Sequence, residues 1–245
     1  NNTMGVTPSP DAPNILNTNA LGLMTGTLRL GANITIPSLA QENASANDLN
    51  YHVDEDACLW IDGANVTHTI NSATSSSNSF VLYGKLKLTN PASVLDINNL
   101  HGIVMRANAA IEIQDGALTT PCIRTSTVAG THRGSYFQSG GVVTITGNIS
   151  GANRHPSLSF TYPTMSFNMS GGELIINQAT NGGEGNGFSL GIGANKENVS
   201  VTGGTIRVQI RNRNANIATT TPFWNLIVED FSGGAFSSTN QTFTS

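Results

Sequence analysis

The sequence predicts an all-β chain, a parallel β-solenoid (β-helix) with repeats of about 32 residues, on three observations. First, the phrases FQSGGVVTI from Phe137, FNMSGGELII from Phe167 and VSVTGGTIRV from Val199 each set a Gly-Gly pair between runs of alternating apolar residues. The pairs begin at Gly140, Gly171 and Gly203, and a phrase returning at so nearly constant an interval marks rungs of a stack rather than separate hairpins. Second, apolar residues recur at every second position, with β-branched residues and Gly every few residues, so no segment is predicted helical. Third, the chain is rich in Gly, Ser, Thr and Asn and only 11% charged, and Asn and Gly tolerate the left-handed backbone that corners need.

Along the chain, residues 1–27 carry little alternation and are predicted to be a lead-in segment or cap. The solenoid is expected over residues 28–230, starting with TLRLGANITI, CLWIDGANVTH, GKLKLTNPASVLDI and VMRANAAIEI, each read as strand, short corner, strand. Aligning MRANAAIEI with FQSGGVVTI sets Ile113 against Ile145 and Ala109 against Gly141, which extends the same interval one copy toward the N-terminus. Before that the interval blurs, because Ile97 precedes Ile113 by only half of it, so some turns could be half as long. The stretches 71–79, 125–134, 148–157 and 177–187 carry turn residues and little apolar content, and read as excursions from the coil. In a solenoid the glycines of Gly140-Gly141, Gly171-Gly172 and Gly203-Gly204 are structural corners, and the strands flanking them pair with neighbouring rungs instead of with each other. Residues 231–245 are read as a continuation or the start of a further repeat or domain. Inward-facing residues are predicted at Phe137, Val143, Ile145, Phe167, Leu174, Ile176, Val201, Ile206 and Val208.

A net charge of −4 spread thinly gives no footprint for nucleic acid, and Arg207, Arg211 and Arg213 alternate with apolar residues as solvent-facing groups of a strand do. No apolar run approaches the ~20 residues of a membrane span. The first residues lack the parts of a signal peptide, so the chain is expected to be a mature or excised section of a longer polypeptide. Cys58 and Cys122 are separated by twice the repeat interval, which in a regular stack puts them in one column two rungs apart. At roughly 9 to 10 Å they would exceed the ~7 Å a disulfide allows, predicting two free, buried thiols.

No residue pattern points to a catalytic, cofactor or metal site. Asp54, Glu55 and Asp56 could attract calcium but lack a calcium-loop spacing, and solvated loop charge is the plainer reading. His52, His68, His101, His132 and His155 fit no zinc spacing. A carbohydrate-active β-helix would need clustered carboxylates, whereas Asp96, Glu112, Asp115 and Glu173 are single acids on separate rungs. Asp96 and Glu112 would share a face only if the local turn were half the usual length. Trp60, Tyr83, Tyr136 and Trp224 are too dispersed to outline a sugar groove.

The phrases YFQSGGVVTITG, FNMSGGELIINQ and VSVTGGTIRV, with PFWNLIVED from Pro222, resemble repeats of large secreted surface proteins of the Bacteroidota, including the gliding-motility adhesins exported by the type IX secretion system. The likeness covers roughly residues 100 to 230. It implies a right-handed parallel β-helix in a long extracellular stalk, with secretion machinery and outer-membrane anchoring components as partners. The expected function is therefore a non-enzymatic, cell-surface structural and adhesive solenoid whose ligand is a surface or a glycan. The alternative is a carbohydrate-active β-helix, a polysaccharide lyase, hydrolase or glycan-binding module.

Overall fold

A computed structural model describes residues 22–31, 35–36, 51–64, 67–71, 80–98, 102–125, 133–147, 158–177, 190–210, 217–219, 222–230 and 242–243. Among them there is no α-helix, only a short 3-10 turn at Lys196–Asn198. The chain coils in successive turns. The first two consist of β1 (Gly22–Leu30) and β2 (Thr35–Ile36), then β3 (Tyr51–Ile61) and β4 (Thr67–Asn71). The third has β5 (Phe80–Leu82), β6 (Lys85–Leu88) and β7 (Val94–Asn98), and the fourth β8 (Ile103–Met105), β9 (Ala110–Ile113) and β10 (Ala117–Thr120). The fifth has β11 (Ile123–Thr125), β12 (Ser135–Gln138) and β13 (Val142–Ile145). In the sixth, β14 (Leu158–Phe160) precedes a long bent β15 (Ser166–Ile176), and in the seventh β16 (Leu190–Ile192) precedes a similar β17 (Val199–Ile210). Next come β18 (Ile217–Thr219), β19 (Leu226–Asp230) and β20 (Thr242–Phe243).

Every pairing among these strands is parallel, each turn to the next. The result is a curled, solenoid-like parallel sheet with three faces. The first face stacks β5, β8, β11, β14, β16, β18 and β20; the second holds β6, β9, β12 and the leading halves of β15 and β17; the third holds β7, β10, β13 and their trailing halves. The coil is already present at Gly22, ahead of the Leu28 boundary, and β20 pairs with β18 beyond Asp230.

The alternation that marks strands in the sequence becomes inward ladders. On the second face Leu28, Leu59, Leu86, Ile111, Tyr136, Phe167 and Val199 are successive partners. On the third, Leu95, Leu118, Val143, Leu174, Ile206 and Leu226 follow one another. Their burial, with Phe80, Phe160 and Ile123 from the first face, builds one continuous core.

Turn length is not uniform. The steps from Tyr136 to Phe167 and from Phe167 to Val199 match the spacing of the Gly-Gly phrases, but those from Leu86 to Ile111 and from Ile111 to Tyr136 are distinctly shorter. On the first face the step from Ile103 to Ile123 is shorter again, and the next, from Ile123 to Leu158, is longer than any of these. The offset between Ile113 and Ile145 is thus a coincidence: Ile113 pairs with Gln138 on the second face, and Ile145 with Thr120 and Ile176 on the third. Strand registers are fixed by the ladder, while loop length between strands costs little, rising only with the logarithm of length.

The tight corner between second and third faces repeats over four turns. Gly116, Gly141, Gly172 and Gly204 have φ of 86°, 64°, 76° and 83°, the left-handed region that glycine occupies without steric cost. A Cβ on Gly172 would lie 2.4 Å from the Gly140 carbonyl oxygen, and one on Gly171 2.3 Å from that of Ser139, so backbone stacks directly on backbone. Gly140 and Gly203 are equally hemmed in, by the Gln114 and Ser170 carbonyls. The fourth-turn counterpart of Gly141 is therefore Gly116 in QDG; Ala109 lies at an earlier corner, just ahead of β9.

Two predicted core residues differ. Phe137 is 46% exposed, and Val201 is only partly buried against the core; the other seven are buried. In β12 the inward residues are Tyr136 and Gln138, because their ladder partners are Ile111 and Ile113 on one side and Phe167 and Met169 on the other. A one-residue change of phase moves every side chain to the opposite face. Gln138 is tolerated inside because its amide is satisfied: Oε1 accepts from Tyr136 Oη at 2.7 Å, and Nε2 donates to the Glu173 carbonyl of the next turn at 3.0 Å, with longer contacts to those of Gly140 and Gly141. Gln138→Ala is expected to destabilise by about 1 to 3 kcal/mol, since it strands the Tyr136 hydroxyl in the core. A denaturation midpoint unchanged from the parent would contradict that role.

Candidate functional site

The outward positions of the second face form a row along the stack: Arg29, Trp60, Lys87, Glu112, Phe137, Asn168 and Ser200, each the ladder partner of the next. Its first half is charged. Trp60 sits between Arg29, whose guanidinium lies 4.6 Å from the ring centroid, and Lys87, whose ammonium lies 5.3 Å away. Trp60 Nε1 donates to Thr89 Oγ1 at 2.8 Å, and Thr89 in turn bonds Asp62, the ion-pair partner of Arg29. These bonds, from Thr89 first and then Arg29, hold the Asp62 carboxyl below its ordinary range.

Lys87 Nζ is 3.2 Å and Lys85 Nζ 3.7 Å from the Glu112 carboxylate, which also accepts from Gln114 Nε2 at 2.6 Å. Burial opposes the charge on Glu112, but the Lys87 and Gln114 bonds and the two lysine charges outweigh it and hold the carboxyl below its usual value. Beyond Glu112 the row becomes neutral. There a groove of about 420 Å³ opens around the exposed Phe137 ring, walled by Gln114, Ser139, Asn168, Ser170, Ser200 and Thr202. A wider groove of about 740 Å³ crosses the charged half, with Glu55, Asp56, Cys58, Lys85 and Asn108 on its walls.

The remaining sequence candidates are scattered. Asp96 lies on the third face between Thr69 and Thr119, and burial raises its carboxyl. Glu112 is on the second face, so the two do not share one. Asp115 is at the corner, accepting from the Gly116 amide at 2.9 Å. Glu173 pairs across turns with Arg207, whose Nε is 2.8 Å from it and whose Nη1 is 2.5 Å from Glu229. Arg211, Arg213, His101, His132 and His155 lie outside the described residues, and His52 and His68 belong to β3 and β4.

In the acidic trio, Asp54 accepts from the Glu55 amide and Glu55 from Asn108 Nδ2, each at 2.8 Å. Among the described residues no group of three or more His, Cys, Asp or Glu side chains converges as a metal site would. Of the aromatics, Tyr83 lies under Arg106, Tyr136 is in the core and Trp224 is 62% exposed near the last described turns. Phe137, Asn168 and Ser200 each stand three residues ahead of a Gly-Gly pair, so the recurring phrase aligns them; what it does not give is their outward phase, or Glu112, which is a shorter turn earlier.

Neither cysteine is in a disulfide, but the two do not share a column and only Cys122 is buried. Cys58 is on the outward side of β3, opposite Lys85, and Cys122 is buried just before β11. Burial pushes the Cys58 thiol up, partly offset by Lys85 and Lys87, and pushes Cys122 up to about 12. Since the thiolate is the reacting form, iodoacetamide at pH 8 should label native Cys58 more slowly than a small-molecule thiol and leave Cys122 unlabelled until the chain is denatured. Mass spectrometry of the quenched protein reads this, and native labelling of Cys122 would contradict it. No protein-family model, curated protein or solved structure matches the chain.

Proposed function

We propose that this chain is a section of a non-enzymatic, extracellular structural and adhesive β-solenoid, a right-handed parallel β-helix whose repeat is about 32 residues where its Gly-Gly corners stack. On this reading it belongs to the stalk of a long cell-surface protein similar to the Bacteroidota gliding-motility adhesins, delivered by secretion machinery and held by outer-membrane anchoring components. The observation that supports it best is the run of parallel ladders on three faces, in a chain of which only 11% of residues are charged. Such a stack satisfies backbone hydrogen bonds along its axis and leaves side chains free to contact a surface. No helix of the described residues is long and apolar enough to cross a membrane.

The alternative, a carbohydrate-active β-helix, draws support from the groove beside Glu112, but the acids Asp96, Glu112, Asp115 and Glu173 do not form an opposed pair there. The test couples the purified chain to beads and measures retention under flow on bare glass and on surfaces coated with plant and bacterial polysaccharides. In parallel, the same polysaccharides are incubated with the chain and assayed for new reducing ends. Retention without cleavage is expected. Beads that wash off every surface overturn the adhesive reading, and release of reducing ends replaces it with the enzymatic one.

A further inference from the structure

We propose that the neutral half of the second face, from Glu112 to Thr202, is a binding site for uncharged oligosaccharides, with Phe137 as its stacking platform. This rests on the adhesive reading and assigns it a place and a ligand class. The groove is a grid of two outward rows. Glu112, Phe137, Asn168 and Ser200 are consecutive ladder partners, and Gln114, Ser139, Ser170 and Thr202 stand two residues further along the same four turns. Rungs repeat at ~4.8 Å, so the grid offers a hydroxyl or amide to a ligand at regular steps along the axis. Its volume, about 420 Å³, is that of a small-ligand site.

Three features select the ligand. Phe137 exposes 46% of its surface because Tyr136 and Gln138 claim the interior, and a half-exposed ring among hydroxyls and amides suits the apolar face of a sugar whose rim carries hydroxyls. Trp60 and Tyr83 each carry a cation over the ring, whereas among the described residues none lies over Phe137. The ionised group lining the groove, Glu112, is paired with Lys87 and Lys85, which stand outside it, so the groove walls carry no unpaired charged side chain to hold a phosphate, sulfate or metal ion. An amide such as Asn168 both donates and accepts, which is what a pair of adjacent sugar hydroxyls requires.

The experiment uses the full chain and saturation-transfer NMR with calorimetry, against cellotetraose, maltotetraose, mannotetraose, chitotetraose and tetragalacturonate. At least one neutral tetrasaccharide is expected to bind. Phe137→Ala and Asn168→Ala should each weaken it by about tenfold or more, whereas Phe137→Tyr and Trp224→Ala should bind as the parent does. Because Phe137 is on the surface, unfolding midpoints should stay within error of the parent, which separates lost binding from lost fold.

Binding by none of the neutral probes, preferential binding of tetragalacturonate, or undiminished binding by Phe137→Ala overturns the proposal. If that happens while parent beads still hold under flow, the site assignment alone falls. If beads wash off yet a neutral tetrasaccharide binds at Phe137, the adhesive reading falls and the site stands.

Discussion

Gly172→Ala is expected to destabilise the protein by roughly 2 to 5 kcal/mol, against about 1 kcal/mol for Gly26→Ala, although both glycines have φ near +80°. The two differ in what a new methyl group would meet. At Gly26 nothing lies within 4 Å, so alanine suffers only the left-handed backbone. At Gly172 the methyl would run into the Gly140 carbonyl oxygen at 2.4 Å and the Gly141 oxygen at 2.7 Å. Those atoms belong to the turn below and cannot move without opening the ladder on either side of the corner. Urea unfolding followed by far-UV circular dichroism compares the two variants. Equal losses would mean that the stacked corners are looser than the geometry here.

Phe167→Ala is expected to cost about 3 to 5 kcal/mol, the range for removing a buried ring from a core that cannot close up. Phe167 is fully buried, stacked on Tyr136 at a centroid distance of 5.1 Å and edge-on to Phe160 at 5.7 Å. The three rings fill the interior of the fifth and sixth turns, so the cavity would lie between adjacent turns. Each turn of a stack leans chiefly on its neighbours, so the loss should also make unfolding less cooperative, with two transitions in calorimetry. Phe137→Ala, one position from Tyr136 in sequence but on the outer side of the sheet, should change stability by no more than about 0.5 kcal/mol. Similar losses at both phenylalanines would mean that β12 is assigned the wrong phase.

That pair of phenylalanines shows where sequence reading stops. Alternation and the recurring Gly-Gly phrase were enough to read the chain as all-β and stacked in parallel, because a residue's strand preference and a corner's need for positive φ are local properties. Phase in SYFQ is not local. Either Phe137 or Tyr136 could face inward on composition, and pairing with Ile111 and Phe167 decides for Tyr136. Gln138 looks like a surface residue until the Glu173 carbonyl of the next turn is brought to its amide.

The same holds for the length of a turn. Loops of any composition can lengthen at small entropic cost, so the ladder fixes which strands are neighbours and leaves the interval free to differ as widely as the steps from Ile103 to Ile123 and from Ile123 to Leu158 do. Phe137, Asn168 and Ser200 hold the same place in the three Gly-Gly phrases, but Glu112, a shorter turn earlier, does not, and which side of the sheet the row faces is not written in the phrase. The outward phase of the row and the place of Glu112 in it follow from the parallel pairing of four turns, which is why the candidate groove was decided by the tertiary structure while the recurring Gly-Gly corners are legible in the sequence.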